Sequence, residues 1–351
     1  MQKALYFMPD ISGFTRFVNN TELDHSIHII AELLEILLDS NTIGLELIEI
    51  EGDALFMYTT KIPSYQELLD QIISMQEKFH THTKSYEAKR VCNCGSCRTT
   101  TNLELKFVVH YGDLAFIKVK DIIKPYGKDV IKIHRLLKND IPVSEYILYT
   151  KATYELYTKE IDSSWGMLTD DYDLGRLDYF YKNIENIKDS IPINTEDNQV
   201  ITNSTPYITL EKTIEGNSND IYAYISEFKY RHLWDKEVKR VEYDENKLNR
   251  SGSVHNCVLD FGHLKFETVT SHSSDSLTYG ESTNDMMFMK NFSYLIKLHN
   301  IESSKTRLEV VLFFEFTTVG SFIKSYLMKM IEKIWSRKLN LLYEIGKIPI
   351  S

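Results

Sequence analysis

Apolar positions recur along the first half of this chain in two alternating rhythms. "KALYFM", residues 3–8, is an unbroken apolar run of strand length. "LDHSIHIIAELLEILLDS" then spaces Ile27, Ile30, Leu33, Leu34 and Leu37 along one face of a helix. "IGLELIEIEGDALFMYT" returns to strand texture and breaks at Glu51-Gly52-Asp53, which predicts two strands joined by a hairpin turn. A second helical pattern covers "YQELLDQIISMQEKFHTH" and leads to a cysteine-bearing loop. "LELKFVVHYG" and "DLAFIKVK" follow as a second strand pair, and "GKDVIKIHRLLKN" as a helix with Val130, Ile133, Leu136 and Leu137 inward. This alternation predicts an α+β or α/β sandwich with one mixed sheet over residues 1–186.

The texture then changes. "IKDSIPINTEDNQVITNSTP" has no sustained period, is rich in polar residues and contains Pro192 and Pro206, so residues 187–206 read as a linker. Residues 207–351 form a second domain, opening on the alternating "YITLEKTIEG" and the capped helix "NSNDIYAYISEF", then running through several strands to "LEVVLFFEFTTV". The chain closes on "SFIKSYLMKMIEKIWSRKLNLLYEI", where Ile323, Leu327, Met330, Ile331, Ile334 and Leu341 mark one long apolar face.

Length agrees with this division, since 351 residues exceed one typical core. The formal charge of −10 argues against a nucleic-acid partner, which would call for a Lys/Arg excess, and favours a small one. The longest apolar segment, "IHIIAELLEILL", is broken by Glu32 and Glu35 and is too short to span a bilayer. Pro9-Asp10 interrupts the initial apolar stretch before it can act as a signal segment, so a cytoplasmic protein without a membrane span is expected. Three of the four cysteines, Cys92, Cys94 and Cys97, sit together in "VCNCGSCR", which fits a reducing compartment better than a disulfide framework. C-x-C-x-x-C offers three zinc ligands, and His80 or His82 just upstream could supply the fourth. A structural zinc on Cys92, Cys94, Cys97 and His82 and a metal-free reduced loop both stand open.

Asp10, in "YFMPDISGFTRF", lies where an apolar strand gives way to a small-residue turn. A carboxylate at a strand tip with free N–H groups beyond it suits a metal ion carrying a phosphate chain, although Asp-x-Ser-Gly is also an ordinary helix start. A second strand-turn carboxylate, Asp53, follows in "IEIEGDALFMY". Paired acids at neighbouring strand tips are what a divalent metal with a nucleoside triphosphate requires, whereas either alone would favour a turn role.

Taken in order, "MPDISGFTRF", "IEGDALFMY", "VVHYGDLAF" and "YGKDVIKIHRLL" resemble the catalytic domain of the class III nucleotidyl (adenylate/guanylate) cyclases over residues 1–185. That family has F-x-D-I-x-G-F-T at a strand end, I-G-D-A at a hairpin, H-x-G in a strand pair and G-x-x-V-N-x-x-x-R on a helix. The resemblance implies a ferredoxin-type α/β sandwich that converts a nucleoside triphosphate to a 3′,5′-cyclic nucleotide and pyrophosphate. Asp10, Asp53 and the Ile11 carbonyl would hold Mg²⁺ or Mn²⁺, and the N–H groups of Ser12, Gly13, Phe14 and Thr15 would cradle the β- and γ-phosphates. Arg135 would stabilise charge at the α-phosphate, and the active site would form across a homodimer interface. The family's base readers fall on Glu49 and Lys124, which complement guanine, meet adenine badly and leave cytosine open. Ile131 replaces the family asparagine, with Asn139 as a substitute one turn past Arg135, and Arg176 and Lys182 stand near the family's phosphate-gripping lysine. These departures leave a second reading: a non-catalytic nucleotide- or lipid-binding sensor whose cyclase-like domain serves for dimerisation.

"ITLEKTIEGNSNDIYAYISEFKYRHLWDKEVKRVE", with its Trp234-containing turn, resembles the opening of START-related helix-grip (polyketide cyclase-like) domains. The implied fold is a curved antiparallel sheet under a long C-terminal helix, enclosing an apolar cavity for a hydrophobic small molecule that would regulate the first domain. His232, His255, His263 and His272 are scattered there and read as structural or exposed.

Overall fold

In a computed structural model that describes residues 2–19, 23–192, 206–260, 262–270, 276–302 and 304–346, the chain separates into two units. One comprises Met1–Ser85 and Arg98–Ile193, the other Tyr86–Cys97 and Asn194–Ser351. Residues 86–97 thus leave the domain in which the sequence places them. The cause is local: Val91 is buried in the core of the second unit, Arg90 pairs with Arg250, and the Ser251 N–H donates to the Lys89 carbonyl at 2.9 Å. Of the expected linker, residues 187–190 belong to a helix, and 193–205 lie outside the described residues.

The elements of the first half are β1 (Gln2–Ser12), α1 (Phe14–Asn19), α2 (Leu23–Asp39), β2 (Glu46–Glu51), β3 (Ala54–Thr59), α3 (Tyr65–Lys89), α4 (Gly95–Thr99), β4 (Glu104–Leu114), β5 (Phe116–Val119) and β6 (Ile122–Pro125). They continue with α5 (Lys128–Leu136), β7 (Tyr146–Thr150), α6 (Lys151–Leu156), β8 (Gly166–Tyr172), β9 (Gly175–Asn183) and α7 (Glu185–Ser190). One sheet runs β2-β3-β1-β4-β7-β9-β8, antiparallel except for the parallel β4–β7 pair. Its first four strands follow the order β2-β3-β1-β4 with helices after β1 and β3, the split βαβ arrangement of ferredoxin-type sandwiches. As a central strand, β1 is buried on both faces from Ala4 to Ile11, which explains its unbroken apolar run. Pro9 has no N–H to give the ladder, and the β1–β3 register passes over Met8 and Pro9 before resuming at Asp10↔Ala54.

Some predicted details differ. In α2 the buried face is Ser26, Ile29, Ile30, Leu33, Leu34 and Leu37, while Ile27 points to solvent. "LELKFVVHYG" and "DLAFIKVK" do not pair with each other; β5 instead pairs with β6, reversing through Lys120 at φ 55°. Helix α5 stops at Leu136, three residues short of the predicted Asn139, because the Asn139 amide donates to the Leu136 carbonyl at 2.8 Å and its oxygen accepts from the Ile141 N–H at 3.1 Å. Pro142 also disfavours helix at Ile141.

The second unit contains β10 (Ile208–Glu215), α8 (Ser218–Ser226), α9 (Arg231–Trp234), β11 (Arg240–Glu242), β12 (Val254–Leu259), β13 (Gly262–Thr270), β14 (Leu277–Thr283), β15 (Met289–Glu302), β16 (Lys305–Phe316), α10 (Thr318–Phe322) and α11 (Lys324–Ile345). Its sheet is antiparallel throughout, in the order β10-β16-β15-β14-β13-β12-β11. The buried face of α11 is Leu327, Ile331, Trp335, Leu339, Leu342 and Ile345; Ile323 and Met330, assigned to that face by the sequence pattern, are exposed. Among the described residues no helix is long and apolar enough to cross a membrane.

Candidate functional site

The strand pairing of β1 with β3 sets the site. Asp10 stands opposite Ala54, and the Ile11 N–H donates to the Asp53 carbonyl at 3.1 Å, so the two acidic residues meet at one end of the sheet. Gly13, at φ 87°, turns the backbone out of β1 in a conformation that side-chain-bearing residues rarely adopt. A pocket of about 240 Å³ results, lined by Asp10, Ile11, Ser12, Gly13, Phe14, Thr15, Arg16, Asp53 and Lys106. Every metal- and phosphate-site residue that the sequence nominates from "DISGFT" and "GDA" is therefore in one place. Two more join them. Arg16 stands on α1 just past that turn, and Lys106 is the cross-strand partner of Asp10 on β4, with its Nζ 2.8 Å from the Asp10 carboxylate. The signal for Lys106 was present: it is the lone cation in the apolar "LELKFVVHYG", but only the β1–β4 register aims it at Asp10.

The electrostatics follow from burial. Asp10 is 8% exposed. Burial first, and the neighbouring Asp10 charge second, push the Asp53 carboxyl up to about 6. Burial alone would lower the Lys106 ammonium, but the Asp10 and Asp53 carboxylates outweigh it and raise its pKa. The site therefore sets two crowded acids against Lys106, with Arg16 a second cation in the pocket lining. The donors are all hard oxygens, which fit Mg²⁺ or Mn²⁺.

The remaining nominated residues divide. Glu49 and Lys124 come together on the surface, with the lysine Nζ 2.6 Å from the carboxylate. Arg135 does not line the pocket. Its guanidinium forms a forked pair with Asp173, Nε at 3.0 Å and Nη2 at 2.8 Å, both partners half exposed. Asn139 lies past the end of α5 rather than on its face, and its amide is committed to Leu136, Ile141 and the Tyr146 hydroxyl at 2.7 Å. Lys182 pairs with Asp162 at 2.9 Å, and Arg176 is exposed on β9; neither lines the pocket. Ile131 is 45% exposed on α5.

A buried chain of polar groups braces the same sheet. His110 donates from Nε2 to Asp129 at 3.0 Å and accepts at Nδ1 from the Thr150 hydroxyl at 2.8 Å, while the other Asp129 oxygen accepts from the Asp113 N–H at 2.9 Å. Burial outweighs Asp129 and lowers the His110 pKa, in keeping with a neutral ring. This Thr-His-Asp chain is closed to solvent and fastens α5 to β4.

Cys92, Cys94 and Cys97 are drawn together at the start of α4. The histidines proposed beside them are engaged elsewhere: His80 is buried against Glu145 at 2.5 Å, and His82 faces Glu32 at 3.2 Å. In the second unit, Trp335 packs on Tyr294 at 4.7 Å, and the interior carries a buried ionic network in which Arg231 pairs with Glu281 and Asp235, Lys338 with Asp235 at 2.8 Å, and His255 approaches Glu281 at 3.3 Å. A pocket of about 520 Å³ opens beside β14–β16, and it mixes Phe292, Phe314 and Tyr207 with Ser282, Asn291 and Glu315. His272 lies outside the described residues.

A family model described as "Protein of unknown function (DUF2652)" matches residues 30–146. The "Uncharacterized protein Rv2561/Rv2562" of Mycobacterium tuberculosis is 34% identical over 143 residues, 41% of this chain and 67% of that protein. Among solved structures, the guanylate cyclase domain of RhGC from Catenaria anguillulae in complex with GTP is similar over 52% of this chain and 96% of that one, at 14% identity and a TM-score of 0.35. The adenylyl cyclase CyaB from P. aeruginosa is similar over 52% and 94%, at 16% identity and a TM-score of 0.34.

Proposed function

The chain belongs to the same family as the uncharacterized mycobacterial protein Rv2561/Rv2562, and from that premise we propose that its first unit is a metal-dependent nucleotide cyclase domain acting as a homodimer. The observation that carries this reading is the convergence of Asp10, Asp53 and the 11–15 backbone on one pocket. A divalent ion such as Mg²⁺ or Mn²⁺ would supply there charge neutralisation for pyrophosphate as it leaves and acidification of the ribose hydroxyl. Asp10 and Asp53 would hold the ion, and the turn at Gly13 would offer N–H groups to the β- and γ-phosphates. Lys106 counters the charge of the two acids through its ion pair with Asp10, and would be free to meet a phosphate oxygen once Asp10 ligated the ion.

Arg135 of a second copy would complete the site, exchanging Asp173 for the α-phosphate. Pairing is supported by the β5–β6 hairpin, which exposes Phe116, Ile117, Val119, Ile122 and Ile123 together. The adjacent Glu49 and Lys124 favour guanine, whose N1–H and N2–H₂ suit a carboxylate and whose O6 suits an ammonium.

One set of observations favours the non-catalytic alternative: Ile131 offers no hydrogen bond, and the Asn139 amide is already committed. Incubation with each of the four ribonucleoside triphosphates and Mn²⁺, followed by a search for cyclic product, separates the two. The cyclase reading expects product from at least one nucleotide and a loss of about 100-fold or more in Asp10→Asn and Asp53→Asn. Metal-dependent binding without turnover selects the sensor. Absence of both binding and turnover removes the nucleotide from the account.

A further inference from the structure

We propose that Cys92, Cys94 and Cys97 bind a structural zinc ion within the second unit, independent of the Asp10–Asp53 pocket. The three sulfurs lie within 4.8 Å of one another. Tetrahedral zinc with Zn–S bonds of about 2.3 Å sets its sulfurs about 3.8 Å apart, so closure of the cluster needs an adjustment of about 1 Å at most. The backbone is already arranged as a thiolate cradle. The Cys94 N–H points at the Cys92 sulfur at 3.4 Å, the Cys97 N–H at the Cys94 sulfur at 3.5 Å, and the Tyr86 hydroxyl lies 3.2 Å from the Cys97 sulfur. Hydrogen bonds of this kind fix ligand direction and tune thiolate charge in metal sites.

A disulfide accounts for the cluster less well. It joins two sulfurs, leaves the third crowded against it, and uses none of the N–H contacts for charge. Thiolates also select a soft or borderline metal over Mg²⁺ or Mn²⁺, so the two metal sites would not compete for the same ion. The fourth position belongs to solvent or to an imidazole of the chain; His80 and His82 are held by Glu145 and Glu32. The location gives the ion a role. Residues 86–97 contribute Val91 to the core cluster of the second unit, and a metal that closes this loop lowers the entropy cost of holding so short a segment in place. Binding releases the thiol protons and changes no oxidation state.

The test uses the full chain, purified under reducing conditions without added metal. About one zinc per chain is expected, released by a mercurial thiol reagent, with an X-ray absorption spectrum showing three sulfur neighbours and one nitrogen or oxygen. Zinc should fall below roughly a tenth of an equivalent in a Cys92→Ser/Cys94→Ser/Cys97→Ser variant and stay in Asp10→Asn, which keeps the result separate from the nucleotide reading. If the triple variant does not fold, titration of stripped wild type with Co²⁺ replaces it, and a thiolate-to-cobalt charge-transfer band is the expected result. Folded wild type that neither carries zinc nor shows that band overturns the proposal, as does zinc retained by the folded triple variant or a bound metal without sulfur neighbours.

Discussion

Asp53 pays for its position in stability, and that makes it the most informative single residue. Its carboxyl is pushed up to about 6 from an ordinary value of 3.8. Between those two values the folded protein keeps a proton that the unfolded chain has released, so stability falls as pH rises through the window and stays lower above it. Asp53→Asn should therefore be more stable than wild type at neutral pH in the absence of metal, with the gain vanishing below about pH 4. Urea unfolding of both proteins across that range checks this. A variant less stable at every pH would mean that the carboxylate is held by favourable contacts instead. Asp10 and Asp53 were legible in the sequence because each sits in a short local motif. Lys106 was not, because its role exists only through a pairing between strands remote in sequence. Arg135 and Asn139 show the reverse limit: helical spacing placed them together, but Pro142 and the Asn139 cap end the helix before that geometry applies.

Among elements, the contact of α5 with β4 is the one on which the site most depends, since β4 carries Lys106. Gly112 lies under the His110–Asp129 pair, where an added Cβ would come within 2.6 Å of the Asp129 carboxyl carbon and 2.7 Å of His110 Nε2. Gly112→Ala should cost about 1–3 kcal/mol through overpacking and loss of the His110–Asp129 hydrogen bond. Thermal or urea unfolding measures it, and a change within experimental error would show that the buried chain yields freely. The H-x-G spacing of "VVHYGDLAF" was visible in the sequence, whereas the reason for the glycine appears only when α5 is laid across the strand. In α11 the pattern itself misled. Apolar residues stand on more than one side of that helix, and only packing distinguishes the buried Trp335 and Leu339 from the exposed Met330.

At the scale of the whole molecule, the structure divides into two units, and the excursion of residues 86–97 was not legible, because nothing in their composition assigns them to either core. Val91 is 2% exposed within the second unit. Val91→Ala should leave a cavity costing roughly 1–3 kcal/mol and speed hydrogen exchange in β16 and α11 by about tenfold or more, with the β1 and β4 amides little changed. Acceleration confined to β1 and β4 would reassign the segment. Because the second unit is built from two stretches of chain separated by residues 98–193, no single proteolytic cut releases it whole. During synthesis, at about 5–20 residues per second, Val91 and the cysteine loop emerge some seconds before the strands whose core Val91 joins. For that interval the nascent chain presents three reduced thiols and an unburied valine on the ribosome, the period in which oxidants, proteases and chaperones have first access to them.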